Sequence, residues 1–513
     1  MSVRSLGEQM STMENGPDRG GGAGTPAEQP AAFPRRWKAL AVLSLVQFII
    51  VIDNTVVNIA LPSIEDDLGT SQAGLAWVVN GYLLAAGGLL LLGGRVADLV
   101  GRKRLFVIGT TLFALASLTS GLAWNSGVLI VSRFAQGIGE AMASPAALSL
   151  IVLMFTDGKE RAKALGMWGG LAGMGATVGV LLSGVLVDLA GWRWVFLVNL
   201  PVAAVALALA ARNVRDAPVT GARPRLDVWG ALLVTAGLVA VVNGLLQASE
   251  HPWSSVAVWG SLAGGVLLVV LFALVEARVP DPMMPLRFFT DRTRITANVA
   301  TVFLTSAMAA MFFLVTLYVQ QVLGYSPLQS GLAYLPFCAA FIPGMVVSTQ
   351  LVTKAGAKAA IIVGFCVSAV GMLLLARIDA QGSFWGQLVP ATVVLSFGLA
   401  IGLPALQNAA LYRLSDADAG LGSGVQTSVQ QLGSSLGLAV LTTLAVTHAQ
   451  DARGSGSAAG QALVDGYRFA FVTAAVVLVV GAVLVAAVMQ SVRQPQPPAS
   501  PQVQAPPAGA QRT

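Results

Sequence analysis

Apolar stretches of about 20 residues recur along the chain from residue 38 to residue 490, with short polar loops between them. A helix needs about 20 apolar residues to cross the hydrocarbon core of a bilayer, so each stretch predicts one transmembrane helix. The pattern predicts fourteen spans, near 38–61, 74–93, 105–123, 128–150, 164–187, 195–212, 228–247, 256–276, 296–318, 330–352, 359–377, 384–408, 421–446 and 468–490.

Both ends of the chain break this pattern. Residues 1–36 are rich in Gly, Pro, Ser and Glu, and residues 491–513 are rich in Pro, Gln and Ala. Segments of such composition bury too little apolar surface to fold. We therefore predict a disordered tail at each end.

The composition favours the bilayer as the solvent. Hydrophobic residues make up 55% of the chain and charged residues 11%, with a mean hydropathy of +0.75, whereas a soluble globular chain is about 25% charged. Too few polar side chains remain to cover a water-facing surface, which argues against a soluble enzyme. We predict an all-α integral membrane protein that has no enzymatic activity.

The residues that usually bind metals or nucleotides are scarce. The chain has two His and two Cys, and it contains neither His-Glu-x-x-His nor Gly-x-x-x-x-Gly-Lys-Ser/Thr. Those two patterns would indicate a zinc protease and an ATP-binding loop. We predict no cofactor and no metal, so any transport must draw on an ion gradient or on the gradient of the solute itself.

Basic residues are distributed unevenly between the two sides of the predicted membrane. Of the 30 Lys and Arg residues, 25 fall in the tails and in one alternate set of loops, four fall in the other set, and Arg133 lies inside a span. Lys and Arg concentrate on the cytoplasmic side of membrane proteins. The asymmetry predicts two cytoplasmic termini, and it accounts for the net charge of +6 without a nucleic-acid partner.

An internal repeat suggests two homologous halves. Gly101-Arg-Lys-Arg-Leu-Phe-Val-Ile-Gly109 is echoed 255 residues later by Gly356-Ala-Lys-Ala-Ala-Ile-Ile-Val-Gly364, and Gly175-Ala-Thr-Val-Gly179 is echoed by Gly433-Ser-Ser-Leu-Gly437. Repeated halves are common in transporters. We expect a six-helix half over 37–213, two additional helices over 214–278 and a second six-helix half over 279–490.

One loop carries a family signature. Gly94-Arg-Val-Ala-Asp-Leu-Val-Gly-Arg-Lys-Arg104 lies between spans two and three, and it resembles the signature loop of the major facilitator superfamily. Leu129-x3-Arg133-x2-Gln136-Gly137 in span four is similar to the motif of proton-coupled antiporters. Three further segments resemble motifs of the fourteen-span drug:proton antiporter family, namely Ile52–Pro62, Gly191–Pro201 and Leu317–Pro336.

This resemblance covers roughly residues 37–490 and implies both a fold and an activity. The implied fold has two six-helix halves with two extra central helices. The implied activity is proton-coupled efflux of small hydrophobic or cationic compounds, such as drugs and antibiotics, by a monomer in the bacterial cytoplasmic membrane. The alternatives are a narrow-specificity metabolite exporter, a uniporter or symporter of the same fold, and a membrane sensor or scaffold.

The fifth span departs from the family pattern Gly-Pro-x-x-Gly-Pro. This chain has Gly175-Ala-Thr-Val-Gly179-Val180, so both prolines are missing. The glycines still permit close helix packing, while the kinks that proline introduces are lost. This departure motivates the alternative of a transporter without antiport.

Charged residues deep inside a span cost about 2.5–3.5 kcal/mol each even on the lenient insertion scale. Three fall there, Asp53, Arg133 and Glu140, and we predict that they couple transport to protons. For Asp53 the alternative is a structural carboxylate, and for Arg133 an anchor on backbone carbonyl oxygens. Glu140 could instead contact a cationic substrate or serve as a packing element.

Arg133, Gln136 and Glu140 share one face of span four, because they lie at i, i+3 and i+7. Two turns separate Arg133 from Glu140, about 10.5 Å along the axis, so each needs a partner from elsewhere.

Asp98 and Arg102, with Arg104, lie at the cytoplasmic mouth, where we predict a gating network that joins the two halves in the outward-open state. Ordinary positive-inside topology is the alternative. Candidate substrate contacts occur at helical spacing, with helix packing as the alternative: Asn54, Asn58, Gln136, Asn298, Thr305, Met308, Phe312, Gln426 and Gln430.

Overall fold

The computed structural model describes residues 35–214, 226–279, 282–284, 288, 290–414 and 418–490. Within these residues the chain forms fourteen membrane-length helices, one for each predicted span and in the same order. They are α1 (Arg36–Leu68), α2 (Gln72–Val100), α3 (Arg102–Gly121), α4 (Ser126–Met154), α5 (Gly158–Ala190), α6 (Trp194–Asn213), α7 (Val228–Gln247), α8 (Val256–Glu276), α9 (Arg292–Val322), α10 (Pro327–Ala355), α11 (Ala357–Leu375), α12 (Phe384–Ala410), α13 (Ala419–Gly454) and α14 (Ala459–Val488).

Length and hydropathy make these helices suitable for crossing a bilayer. Thirteen meet both requirements over the described residues, and in α5 the described apolar stretch is Thr177–Ala190 within a helix of 33 residues. The predicted all-α membrane fold is confirmed. The predicted tails lie outside the described residues, except for Arg35 and Arg36.

Five helices extend well beyond their predicted spans. α1 and α2 continue to Leu68 and Val100, α5 begins at Gly158, α13 continues to Gly454 and α14 begins at Ala459, so the predicted boundaries near 61, 93, 164, 446 and 468 are wrong. Hydropathy reports the part of a helix that lies in the hydrocarbon and misses its polar extensions. His448 lies in the extension of α13, where it stacks on Phe469 with ring centroids 4.6 Å apart.

The internal repeat rests on glycines at matching places in the two halves. Gly101 and Gly356 precede α3 and α11 with φ of 103° and 87°, a backbone region that favours glycine. Gly109 and Gly364 lie where α3 crosses α4 and α11 crosses α12. A Cβ there would lie 2.7 Å and 2.6 Å from the backbone of the neighbouring helix. The same close helix crossing, α3 on α4 and α11 on α12, therefore occurs in both halves.

The two additional helices cover the seam between the halves. α7 and α8 pack against each other, and α7 also packs against α2 and α13. The Thr443 hydroxyl donates a hydrogen bond to the Leu245 carbonyl oxygen at 2.8 Å, and Gln450 Nε2 donates to the Ser249 carbonyl oxygen at 3.1 Å. Most of the surface of α8 stays exposed, as expected for a helix that faces lipid.

Contacts between the two halves are distributed unevenly along the molecule. We call the end at which α1, α3, α5, α7, α9, α11 and α13 begin the basic end, because most Lys and Arg residues of the described part of the chain lie there. At the opposite end α5 packs against Pro327–Ala333 of α10. Among the described residues it has no comparable packing against Leu335–Ala355, and neither has α4 against α12. α4 and α5 therefore part from α12 and from Leu335–Ala355 toward the basic end, while α2 stays packed against α13.

Candidate functional site

Asp53 lies in the middle of α1 and is fully buried inside the N-terminal half. Its carboxylate accepts hydrogen bonds from Arg133 Nη1 at 2.5 Å, Gln136 Nε2 at 3.0 Å and Asn199 Nδ2 at 2.7 Å. Acceptance of all three bonds suits an ionised carboxylate. Because the donors come from α4 and α6, Asp53 joins three helices.

Arg133 is 1% exposed and has several partners besides Asp53. Its Nε donates to the Val78 carbonyl oxygen of α2 at 3.1 Å, and its Nη1 donates to Gln136 Oε1 at 2.9 Å. The guanidinium also lies 4.3 Å from the centroid of the Tyr82 ring, a favourable position for a cation. Arg133 thus keeps hydrogen-bond acceptors when the Asp53 carboxylate is neutralised.

Close packing of α4 on α2 brings these groups together. Gly137 follows Gln136, and a Cβ on Gly137 would lie 2.9 Å from Ala85 Cβ and 3.0 Å from Ala86 N. A larger residue would separate the helices and carry Arg133 away from Val78. Gly137 therefore helps to position Arg133, which lies one turn earlier on α4.

Two members of the Asp53 cluster were missed in the sequence. The Ser117 hydroxyl of α3 accepts hydrogen bonds from Gln136 Nε2 at 2.7 Å and from Asn199 Nδ2 at 3.0 Å. Asn199 lies inside the motif Gly191–Pro201, so a polar residue within an apolar run was the available signal. Ser117 gave none, because serines are common in membrane helices.

Glu140 lies at the seam between the halves. It is 6% exposed, and its Oε1 accepts a hydrogen bond from Gln431 Nε2 of α13 at 3.1 Å. The sequence singled out Gln430, which is partly buried, one residue before the side chain that makes this contact. Neighbouring residues of a helix point about 100° apart, so a shift of one residue selects a different face.

A polar line on α4 connects the Asp53 cluster with residues nearer the basic end. Gln136, Glu140 and Ser144 recur every four residues and share one face. The Ser144 hydroxyl donates to Gln47 Oε1 of α1 at 3.0 Å, and both side chains are partly exposed. We call Gln136, Glu140 and Ser144 the α4 polar line.

Asn54 and Asn58 lie outside the Asp53 cluster in the described structure. Both are partly exposed, and Asn58 Nδ2 donates to the Asn54 carbonyl oxygen at 3.2 Å. Asn54 and Asn58 lie on one face of α1, and this face is turned about 100° away from the face that carries Asp53. Their role as substrate contacts stays a prediction.

In the C-terminal half, three predicted substrate residues hydrogen-bond within the helices. Asn298 and Thr305 donate to carbonyl oxygens one turn earlier in α9, each at 2.9 Å. Gln426 Nε2 donates to the Thr301 hydroxyl at 2.8 Å and so joins α13 to α9. These bonds stabilise the half, and the role of the three residues as substrate contacts stays a prediction.

The other two predicted contacts on α9 lie toward its end. Phe312 stacks on Tyr334 with ring centroids 5.3 Å apart and also meets Phe337. Met308 is partly buried against the core. An aromatic cluster of this kind offers apolar surface but contains no charge.

Asp98 and Arg102 pair with each other at the basic end, where Arg102 Nη2 lies 2.9 Å from Asp98 Oδ1 and both side chains are partly exposed. The pair lies within one turn of chain and belongs to a single half. The role of Asp98 and Arg102 in gating between the halves stays a prediction.

The Asp53 cluster offers a buried carboxylate that can carry a proton. In the described part of the chain no group of three or more His, Cys, Asp and Glu side chains is placed to hold a metal ion. Protonation of Asp53 would remove its charge and weaken its bond to Arg133, whose other partners remain. One proton can thus change the contacts among α1, α2, α4 and α6.

The fold and the positions of the motifs match a known family. The sequence matches the family model of the Major Facilitator Superfamily over residues 43–438. The chain belongs to the major facilitator superfamily.

Solved structures agree with this membership. The superfamily fold is shared with a bacterial homolog of the human lysosomal transporter Spinster, in an inward-facing and unoccupied conformation, with a TM-score of 0.60 and 17% identity over 88% of this chain and 96% of that one. An auto-inhibited peptide transporter of the POT family gives a TM-score of 0.63 and 13% identity over 86% and 96%. At these identities the likeness concerns the fold alone.

Several relatives within the superfamily have names that state an activity. The chain is 39% identical to the puromycin resistance protein pur8 of Streptomyces alboniger, over 88% of this chain and 91% of that protein. It is 38% identical to the lincomycin resistance protein of Streptomyces lincolnensis, over 82% and 86%. It is 36% identical to the cephamycin export protein CmcT of Amycolatopsis lactamdurans, over 87% and 91%. Fold and relatives are those of transporters and not of enzymes.

Proposed function

We propose that this member of the major facilitator superfamily exports small hydrophobic or cationic compounds, including antibiotics, in exchange for protons. The buried Asp53–Arg133 ion pair is the observation that carries the coupling. Three relatives named for antibiotic resistance or export support antibiotics as cargo. No cofactor is required beyond the proton gradient, and the monomer contains the complete Asp53 cluster.

Alternating access supplies the mechanism. The excess of Lys and Arg at the basic end supports its placement in the cytoplasm, together with both termini. The described conformation then faces inward, with Asp53 ionised and paired, after its proton has left. In the outward-facing state a proton from outside neutralises Asp53, and Arg133 keeps its bonds to Val78 and Gln136. One proton moving down 100 mV supplies about 2.3 kcal/mol, enough for roughly fifty-fold accumulation of a neutral compound.

Antibiotic susceptibility of a bacterial host that lacks its own pumps tests this function. Cells with the wild-type protein should tolerate more puromycin or lincomycin than cells without it, and Asp53→Asn at the same membrane level should give no protection. Asp67→Asn is the matched control, because Asp67 lies on the same helix in an exposed pair with Arg193. The absence of protection by the wild type against every compound would contradict antibiotic export.

A narrow-specificity exporter is the second candidate. α5 runs from Gly158 to Ala190 as one helix without proline, and each of the three relatives is named for a single antibiotic or antibiotic class. The same host tested against compounds of several unrelated classes separates the two. Protection against one class alone would favour the narrow exporter.

A further inference from the structure

Two buried carboxyl groups lie together at the basic end, outside the Asp53 cluster. Asp227 immediately precedes α7 and Glu276 ends α8, and the two residues are 6% and 2% exposed. Asp227 Oδ1 accepts a hydrogen bond from Gly230 N at 2.8 Å, and Glu276 Oε1 accepts one from Met284 N. The second oxygen of each group, Asp227 Oδ2 and Glu276 Oε2, receives no hydrogen bond from an N–H or hydroxyl group of the described residues. Because buried polar atoms are nearly always hydrogen-bonded, these two oxygens indicate a bound partner.

The partner that fits between them is a proton. The Asp227 and Glu276 side chains face each other at hydrogen-bonding distance. An ionised carboxylate can only accept a hydrogen bond, whereas a protonated carboxyl group can also donate one. Two carboxylates at this distance would repel each other, which disfavours the state in which both are ionised. The contact therefore needs one proton shared between the two groups.

The surrounding charges lead to the same count of protons. Arg95 of α2 is the cation that faces Glu276, and it also donates a hydrogen bond to the Pro282 carbonyl oxygen. One arginine offsets one carboxylate, and a second buried carboxylate without a counter-charge would be costly. Asp227 lies at the N-terminus of α7, where negative charge is favoured, and Glu276 lies at the C-terminus of α8, where it is disfavoured. The shared proton therefore belongs mainly to Glu276.

The pair and Arg95 hold a short segment that lies between the two halves, Pro282–Met284, which we call the seam segment. Glu276 binds the backbone N–H of Met284, and Arg95 binds the carbonyl oxygen of Pro282. Met283, between them, is 1% exposed. Its side chain packs in a small apolar cluster with Leu91 of α2, Ala231 of α7 and Val425 of α13. Because α2 and α13 belong to different halves, a change in their separation must loosen or compress Met283.

We propose that Asp227 and Glu276 bind one proton between them and that this proton keeps the seam segment packed between α2 and α13. When the pH at the basic end rises, the pair loses the proton to water and the two carboxylates repel each other. Glu276 then turns away from Asp227 and releases Met284, so that Met283 leaves the apolar cluster more readily. A fall in pH reverses these steps. The site is separate from the Asp53 cluster and makes the basic end sensitive to the pH of its own side.

Labelling of a cysteine in the seam segment tests this assignment in the purified full-length protein. Met283→Cys is made in a protein whose two native cysteines are replaced by serine, and a maleimide reports how often the new thiol becomes accessible. Glu276→Gln serves as the permanently protonated form, because its amide keeps an acceptor for Met284 and gains N–H donors toward the partner carboxyl group. Comparison of the two proteins at each pH removes the effect of pH on the thiol itself.

The two proteins should react at equal rates at mildly acidic pH, where Glu276 carries the proton. At mildly alkaline pH the protein with Glu276 should react several-fold faster than Glu276→Gln, because the segment opens locally more often. Equal rates of the two proteins at every pH would overturn the proposal.

Three further variants identify what holds the segment. Asp227→Asn keeps the cap of α7 and provides N–H donors for Glu276, so the faster labelling at alkaline pH should disappear. Glu276→Ala removes the acceptor of Met284 and should give fast labelling at every pH. Glu160→Gln is the matched control, because Glu160 lies at the same end in a partly exposed pair with Arg36, and it should keep the full pH dependence. Slow labelling of Glu276→Ala, or an unchanged pH dependence in Asp227→Asn, would contradict the proposal.

The salt in the buffer distinguishes a proton from a metal cation at the same two oxygens. The labelling rates should stay the same when sodium chloride or calcium chloride replaces choline chloride at constant ionic strength. Slower labelling at alkaline pH in one of the metal salts would assign the site to that cation and overturn the assignment to a proton.

Gradient-driven transport separates this site from the coupling proposed for Asp53. This comparison rests on the transport function proposed above, whereas the labelling result does not. In vesicles with a pH gradient, folded Glu276→Gln should still accumulate a neutral substrate in response to the gradient, and Asp53→Asn should not. Loss of this response in Glu276→Gln would place the carboxyl pair on the coupling route and overturn its separate role.

Discussion

The Asp53–Arg133 ion pair is shielded from solvent, since its side chains are 0% and 1% exposed. Burial of two charges costs several kcal/mol per ion, and their attraction offsets this only where the remaining donors and acceptors are satisfied. Gln136, Asn199 and the Val78 carbonyl oxygen satisfy them here. Removal of one charged partner should therefore destabilise the folded protein more than removal of both.

Arg133→Met should destabilise the protein by about 3–5 kcal/mol, because it leaves the Asp53 carboxylate buried without a counter-charge. The double variant Asp53→Asn/Arg133→Met should recover part of this loss, since no buried charge remains. Thermal unfolding of both proteins in detergent measures the difference.

Arg193→Met provides the control for this comparison. Its ion pair with Asp67 is 41% and 46% exposed, and exposed pairs contribute about 1 kcal/mol or less. A double variant that is less stable than Arg133→Met would show that the charges are not the cause of the destabilisation.

Individual site residues could be predicted from the sequence where their residue type is rare in an apolar segment. Asp53, Arg133 and Glu140 stood out because charges seldom occur inside apolar runs, and Gln136 shared the face of α4 that carries Arg133 and Glu140. Asn199 and Ser117 did not, because neutral polar residues are common in such helices. Gln430 was chosen in place of Gln431, since periodicity defines the faces of one helix and not which face meets its neighbour.

At the level of helices, the contact of α5 with α1 shows that the two glycines of the family pattern permit close helix packing although its prolines are missing. A Cβ on Gly175 would lie 3.2 Å from Val51 Cβ, and one on Gly179 would lie 3.2 Å from Ile52 Cα. Ile52 precedes Asp53, so this contact also positions Asp53. The close packing expected from the two glycines is confirmed.

Gly179→Ala should push α5 away from α1 and cost about 1–3 kcal/mol, the usual effect of overpacking. Transport should fall as well, because the backbone beside Asp53 moves. Unfolding and transport measured on the same preparation test both effects.

Gly170→Ala is the matched substitution on the same helix. A Cβ there meets nothing within 4 Å, and alanine favours a helix over glycine by up to about 1 kcal/mol. It should therefore be neutral or stabilising. Similar losses at positions 170 and 179 would contradict the packing explanation.

The end of α9 closes the molecule opposite the basic end. Its last five residues, Tyr318–Val322, form one π-helical turn. Gln320 Nε2 donates to the Ile59 carbonyl oxygen at 2.9 Å and Gln321 Nε2 donates to Glu65 Oε2 at 2.6 Å, both on α1. Both glutamines of this turn thus contact the N-terminal half. The motif containing these glutamines was recognised in the sequence, but the wide turn was not, because apolar spacing does not reveal it.

Gln320→Ala combined with Gln321→Ala should favour the state that is open at this end, because two hydrogen bonds between the halves are lost. Spin labels at Asp66→Cys and Gln381→Cys, in a protein with Cys338→Ser and Cys366→Ser, report the separation of the halves there. The population at long distance should increase. Gln350→Ala, an exposed glutamine on α10, is the control, and equal distance distributions in all three proteins would argue against this closure.

For the molecule as a whole, the sequence predicted the count of spans, the two halves and the extra pair. It did so because spans follow from apolar length and the halves from the paired glycines Gly101 and Gly356. It did not predict which end is open, since both end states of a rocking transporter contain the same helices. That feature depends on contacts between halves, such as those of α5 with Pro327–Ala333.

Proton exchange at Asp53 is the central claim about the whole transporter, and uptake by vesicles with an acidic interior tests it most directly. N-acetyldoxorubicin is the suitable cargo, because an uncharged compound is not trapped by the gradient itself. The wild type and Asp67→Asn should accumulate it while the interior becomes less acidic, and folded Asp53→Asn should do neither. Uptake that is the same with and without the gradient, or equal uptake by Asp53→Asn and the wild type, would contradict the account.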